Sequence, residues 1–431
     1  MNHPWRPTPA LVRAGLASMA GAVAAVLLGR PDLLVLAVPL AVCAAGAVLT
    51  RPARPPRAAT DLVHPSVREG EGTLVRARLT GAEDVEHAVV ALTRHRFLAY
   101  RPAGGVHGVT VPGGAPTVTW DVPVGSLHWG RRLVGDGLVS ALTPWAGYRW
   151  GPVEVLAQSL LTLPTPGRFD ARSPAPHPIG LVGTHPARRQ GEGGELATIR
   201  PFAPGDRLRR VQWRVSLRTG TLHVTSTLAE EDSSILLVVD AVVDLGVGRG
   251  IHGSASSLDV AVRAAGAVAE HYLRQGDRVG LRVLGTARHG VLPMGAGTRH
   301  LRKLLDTLAQ VTPGADRLVD LTRLRFGLAP GTVAIVLSPM LSEEAIGATL
   351  SLASGGVTVV VVDTVPEDLD LGDDDPALHL AWRMRLLERE DLLRQVEAAG
   401  IPVVRWRGPG TLDEVLRGLG RRAAAPRMVR R

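Results

Sequence analysis

Two apolar runs open the chain, Ala10 to Gly29 and Leu33 to Leu49, interrupted only by Arg30, Pro31 and Asp32. A bilayer core takes roughly 20 helical residues, so two such runs with a tight break predict a transmembrane helical hairpin within residues 1–57 (helices about 10–29 and 33–49). A cleaved signal peptide followed by an apolar segment is the alternative, although no small-residue cleavage site precedes Leu33. Arg6 and Arg13 stand at the start of the first run, and Arg51, Arg54 and Arg57 follow the second, against Arg30 alone in the turn. Under the positive-inside rule this places both ends, and the soluble domains, on the cytoplasmic side of an inner or plasma membrane.

From about Asp61 to Thr165 the period shortens to two. Val75, Ala77 and Leu79 alternate with Arg76 and Arg78, and Val118, Trp120, Val122 and Val124 repeat the alternation. Gly70-Glu71-Gly72 and Gly113-Gly114 supply turns. The pattern predicts an antiparallel β-sandwich-like domain over residues 58–170. Pro164 to His177, rich in proline and without apolar period, reads as a linker.

Past Glu230 the pattern changes again. Apolar or β-branched runs at Ile235 to Asp240, Arg278 to Leu284, Val333 to Leu337, Val357 to Val362 and Val403 to Trp406 are separated by helical periodicities. The helical stretches are 258–274, 299–309, 343–353 and 378–399, with a last one at 412–419. Such alternation predicts a doubly wound α/β domain with a mostly parallel sheet over residues 230–422, followed by a basic tail at 423–431.

Between the two patterns lies a joint, residues 171–229 together with the linker. Pro204-Gly205 suits the centre of a type II turn and Asp206 suits a helix N-cap, which predicts a helix from about Arg207 to Arg218 with Gly220 as its stop. Leu208, Val211 and Val215 would share one face, Trp213 and Leu217 another, and Arg207, Arg210, Arg214 and Arg218 the ridge between them. The helix is either a wedge between domains or an amphipathic surface helix. Its arginines either meet Glu195, Glu230 or Glu231, or remain open to an acidic partner.

Composition adds bounds rather than a function. The chain has 431 residues, 45% of them hydrophobic, which is room for several packed cores. Its formal charge is +9, and Lys303 is the sole lysine, so the positive charge is carried by arginine. No aromatic platform accompanies those arginines, and nucleic acid is not an expected partner. Cys43 is the only cysteine, which excludes a disulfide within the chain.

The joint carries a resemblance. Gly194-Glu195, Arg200-Pro201-Phe202, Pro204-Gly205-Asp206, Arg209, Trp213, Ser216-Leu217-Arg218 and Leu222 are similar to the signature of the bacterial "domain of unknown function 58" family. Phe202 replaces a tyrosine of that pattern and Leu217 an alanine. Gly147-Tyr148-Arg149-Trp150-Gly151-Pro152-Val153 likewise resembles the β region that precedes the joint in the family. The resemblance implies a von Willebrand factor A-like fold for the α/β domain and a MoxR-type AAA+ ATPase as protein partner. It also marks Glu195, Arg200, Pro204, Gly205, Asp206, Arg209, Trp213 and Arg218 as the residues holding the domains in register.

That fold implies a place for a metal-ion-dependent adhesion site, D-x-S-x-S at the end of the first strand. This chain reads Asp240-Ala241-Val242-Val243-Asp244, with Ser338-Pro339-Met340 at the later strand end. Asp240, Asp244 and Ser338 are the degenerate remnants, since Val242 carries no ligand atom, and no metal or other cofactor is expected. Gly246 to Gly250 lacks the spacing of a dinucleotide loop, and the aspartates between Asp368 and Asp375 lack that of an EF-hand. No H-E-x-x-H, C-x-x-C or G-x-S-x-G occurs, and no catalytic residues are assigned. The expectation is a non-enzymatic, membrane-anchored adaptor acting with the ATPase on client proteins. The alternative is a metal-dependent adhesion-type module of the cell envelope.

Overall fold

Helix α1 (Pro9–Leu27) starts where Thr8 caps it: the Thr8 hydroxyl accepts the Leu11 N–H at 3.1 Å, and proline occupies the first helical position. Gly29, at φ +63°, turns the chain, and helix α2 (Leu33–Leu49) returns alongside. The two pack through small residues. A Cβ on Gly21 would lie 3.0 Å from that of Ala37, and Ala25, Ala37 and Ala47 are the buried members of the pair. Leu16, Met19, Val23, Val26 and Leu36 face outward. Helix α1, with 19 residues and a mean hydropathy of 1.8, is long and apolar enough to cross a membrane; α2, with 17, is shorter.

In this computed structural model the described residues are 3–165, 186–203, 211–230, 234–285, 290–314, 328, 332–372 and 375–407, without the side chains of 186–198 and 226–230. The chain forms two units, Met1–Leu163 and Pro164–Arg431.

In the first unit, α1 and α2 are joined by β-sheets. One five-stranded sheet takes the order Arg6–Pro7, Tyr148–Val155, Gly137–Leu142, His87–Leu92, Val106–Thr110, antiparallel throughout. A four-stranded antiparallel sheet takes the order Arg57–Leu62, Gly72–Thr80, Thr117–Ser126, Leu98–Tyr100. Ser66–Arg68, Gln158–Leu163 and Gly130–Val134 form a smaller third sheet, its first pair parallel. Alternation decides the faces. Val75, Ala77, Leu79, Trp120 and Val122 turn into one core with Val90, Val139 and Trp150, while Arg76 pairs with Asp121 at 2.8 Å on the other side.

The second unit begins with a strand, Pro186–Pro201, paired antiparallel to His223–Glu230. The helix between them, α3, spans Trp213–Thr219 and ends at Gly220 in the left-handed region (φ +69°). This corrects the expected start at Arg207, since Val211 forms a β-bridge to Val224 and Gln212 is the N-cap. Val211, Ser216 and Val224 are buried, whereas Trp213 and Leu217 are 61% and 82% exposed. A β-bridge and a helix start compete for the same apolar residue, and here the bridge wins.

The rest of the unit is a six-stranded sheet: β1 (Ser234–Asp240), β2 (Arg278–Leu284), β3 (Val291–Gly295), β4 (Val333–Ser338), β5 (Thr358–Asp363) and β6 (Val403–Arg405). Its order is β3-β2-β1-β4-β5-β6, parallel except for the edge strand β3. Helices α4 (Ser257–Gln275), α5 (Gly297–Leu308), α6 (Glu343–Ser354) and α7 (Pro376–Ala398) fill the crossovers. Every residue of β4 is buried, as parallel strands covered on both faces require. On one face Val238, Val336 and Val361 meet Ile346, Leu352 and Val396. The expected linker beyond Thr165, the helix at 412–419 and the tail at 423–431 lie outside the described residues.

Candidate functional site

Strand order reverses between β1 and β4, so the connections leaving their carboxyl ends diverge and open a crevice, the place where doubly wound sheets gather their ligands. Asp240 ends β1 and Ser338 ends β4. They meet directly: the Ser338 hydroxyl donates to Asp240 Oδ2 at 2.6 Å. Ser342 donates to the same oxygen at 3.4 Å, and Asp240 Oδ1 accepts the Val242 N–H at 3.0 Å. Asp240 is 1% exposed. Burial pushes its carboxyl above the ordinary carboxylate range, against the opposing pull of those donors.

Each serine also works on the backbone. Ser338 Oγ accepts the N–H of Met340, a non-glycine residue in the left-handed region at φ +53°. Ser342 Oγ accepts the Ala345 N–H at 3.2 Å and so caps α6. The strained loop 338–342 is further held from α7. Arg389 donates from Nε to the Pro339 carbonyl at 2.6 Å and meets Asp363, the last residue of β5, at 2.5 Å. Arg385 donates to the Leu341 carbonyl at 2.8 Å. Buried charge is thus paired, as a low-dielectric site demands.

Asp244 does not join Asp240's cluster. It accepts the Leu258 N–H at 2.9 Å and the Ser257 hydroxyl at 3.2 Å, bracing the start of α4, where Ser256 and Asp259 form a capping box. Burial raises its carboxyl as well. The set does not fit a divalent ion, because Asp240's oxygens point to internal donors, Asp244 serves a helix start and Val242 offers no oxygen. Among the described residues no group of three or more His, Cys, Asp or Glu is placed to hold a metal.

The glycine-containing loop after β1 is bolted down rather than left open. Asp370 Oδ2 receives Arg249 Nε at 2.5 Å and the Ser254 hydroxyl at 3.2 Å, and Gly246, at φ +84°, brings the backbone against Leu369. The bond from Arg249 holds the Asp370 carboxyl below its usual range. Beside this loop lies a cavity of about 250 Å³ lined by Ser254, Ala255, Val365, Glu367, Asp368 and Trp406. It sits at the carboxyl ends of β5 and β6.

The joint residues lie on another sheet. Glu195 is within the strand Pro186–Pro201, Arg200 is in register with Val224, Trp213 opens α3 and Arg218 is exposed in its last turn. Pro204, Gly205, Asp206 and Arg209 lie outside the described residues. Sequence reasoning missed Ser342, Asp363 and Arg389. The first carried a signal, a serine three residues before the Ala345 amide it caps; the other two acquire a role only through the pairing of β5 and α7.

Uncharacterized protein Rv1480 of Mycobacterium tuberculosis is 27% identical over 252 residues, 53% of this chain and 78% of the relative. Uncharacterized protein Mb1516 of Mycobacterium bovis gives the same figures. Among solved structures, the cupredoxin domain of amoB from Nitrosocaldus yellowstonii matches 21% of this chain and 56% of its own, at 14% identity and a TM-score of 0.14, which carries no argument. Residues 198–376 match the family model "Protein of unknown function DUF58", a stretch running from the end of the joint strand through β5 to the start of α7, so this chain carries a region of the DUF58 family.

Proposed function

We propose that this protein is a membrane-anchored, non-enzymatic adaptor: α1 and α2 tether it as a two-pass hairpin with both soluble parts in the cytoplasm, and its α/β domain, of von Willebrand factor A type, receives a protein partner. The sheet order β3-β2-β1-β4-β5-β6 with an antiparallel β3 supports that fold assignment. The observation that carries the adaptor reading is the inward bonding of Asp240 at the switch point. A carboxylate committed to Ser338, Ser342 and the Val242 amide shapes a surface instead of coordinating an ion or a substrate. Recognition then falls to the rim, where Glu367, Asp368 and Trp406 line the cavity. An aromatic anchor beside carboxylates fits a partner that presents basic and apolar side chains.

The family resemblance supplies the partner's identity, a MoxR-type AAA+ ATPase acting on client proteins. The test is affinity capture of the full-length chain from its native membrane in mild detergent with ATP hydrolysis blocked. The adaptor reading expects a AAA+ ATPase among the captured proteins, and less of it with Trp406→Ala. Capture of envelope proteins without any such ATPase would replace it with an adhesion or scaffold role.

A further inference from the structure

A short loop helps to fasten the β-sheets of the first unit to α1 and α2. Thr8, the cap of α1, donates its amide to the Gly147 carbonyl at 2.9 Å and its hydroxyl to the Ala146 carbonyl at 2.6 Å. Arg6 and Pro7 pair with Arg149 and Tyr148. From the other side the loop meets the last turn of α2. Gly147 approaches so closely that a Cβ there would lie 2.5 Å from that of Ala47, and a Cβ on Gly46 would lie 3.3 Å from the Trp145 ring. Gly46 stands within about 5 Å of the end of α2, at 1.5 Å per residue.

Trp145 is the residue this arrangement displays. It holds φ +63° and ψ 12°, a backbone state that a bulky side chain adopts only when its surroundings impose it, and it remains 58% exposed. Arg6 and Arg149, paired in register next to this loop, and Arg51 and Arg54, which follow α2 in the chain, are exposed. A tryptophan beside the end of an apolar helix that arginines follow has the composition of a membrane-water boundary. We propose that Trp145 is a third membrane contact, lying in the headgroup region beside α2, so that the β-sheet region is held against the bilayer instead of swinging from a tether. The occupant is the lipid interface, because Trp145 sits at Gly46 in the last turn of α2, a helix that leaves Val42, Val48 and Leu49 exposed. This inference rests on the membrane-anchored reading.

The test uses the full chain in phosphatidylcholine and phosphatidylglycerol vesicles, with an environment-sensitive fluorophore on single cysteines and nitroxide lipids labelled at the headgroup or the chain end. The native Cys43 reports on α2; in a Cys43→Ser background the probe goes to Trp145→Cys, to Arg149→Cys, which keeps the tryptophan, and to Leu156→Cys at the opposite end of that strand. Expected are quenching of Cys43, stronger quenching by headgroup than by chain-end nitroxide at positions 145 and 149, and none at 156. Quenching at Cys43 with none at 145 and 149 would overturn the third contact while leaving the anchor in place. No quenching at any position, Cys43 included, would overturn the anchor and this inference together.

Discussion

Asp240 governs the carboxyl end of β1 through what it accepts, and its substitutions separate charge from hydrogen bonding. Asp240→Ala would leave the Ser338 hydroxyl and the Val242 amide short of an acceptor in a buried site, at a cost of about 1–3 kcal/mol. The charge acts in the opposite sense. Because burial raises the Asp240 carboxyl above its ordinary range, the folded state binds its proton more tightly than the unfolded state does. The contribution of Asp240 to stability is then greatest at and below the ordinary carboxylate range and falls as pH rises through the raised value. Asp240→Asn should flatten that fall, leaving the part contributed by Asp244, whose shift has the same sign. Hydrogen exchange of the β1 amides against pH in the detergent-solubilised chain measures both effects. An unchanged slope in the asparagine variant would mean that Asp240 is ionised throughout.

Among the elements, the clearest dependence is that of the loop at 143–147 on its glycine. Gly147 has an ordinary helical φ of −71°, so Gly147→Ala adds no backbone strain and tests the close approach to Ala47 alone. Overpacking of this kind costs about 1–3 kcal/mol, and it should appear as faster exchange at 143–149 with the six-stranded sheet unaffected. A variant with unaltered exchange would show that the loop does not bear on α2. The same scale explains what could be read beforehand. Buried parallel strands such as β1 and β4 are continuous apolar runs, and their helices repeat at 3.6, so both were legible. Strand β3 was not, because an edge strand containing Pro293 and Gly295 carries neither signal. The start of α3 was misplaced because Val211 satisfies a helical face and a β-bridge equally well in a short segment.

For the whole molecule, the separate roles follow from separate patterns. The apolar runs with arginine flanks foretold two helices, and alternation foretold the β-sheets. The fastening between them was invisible, since it joins Thr8 to Ala146, 138 residues apart, and no local period records such a contact. Asp240 and Ser338 were legible as a candidate site at the strand ends. Its positive role, a carboxylate tying β1 to β4 and to the cap of α6, needed Ser342 to be seen beside Asp240. The proposed adaptor function would make the carboxyl-end rim the working surface. The most direct test places a photo-crosslinking amino acid at Trp406, on that rim, and at Ser351, exposed near the far end of α6, in cells whose membranes retain the protein. The account predicts an adduct with a AAA+ ATPase from position 406 and none from 351. An ATPase present in the membrane but never crosslinked from 406, or crosslinked equally from 351, would contradict it.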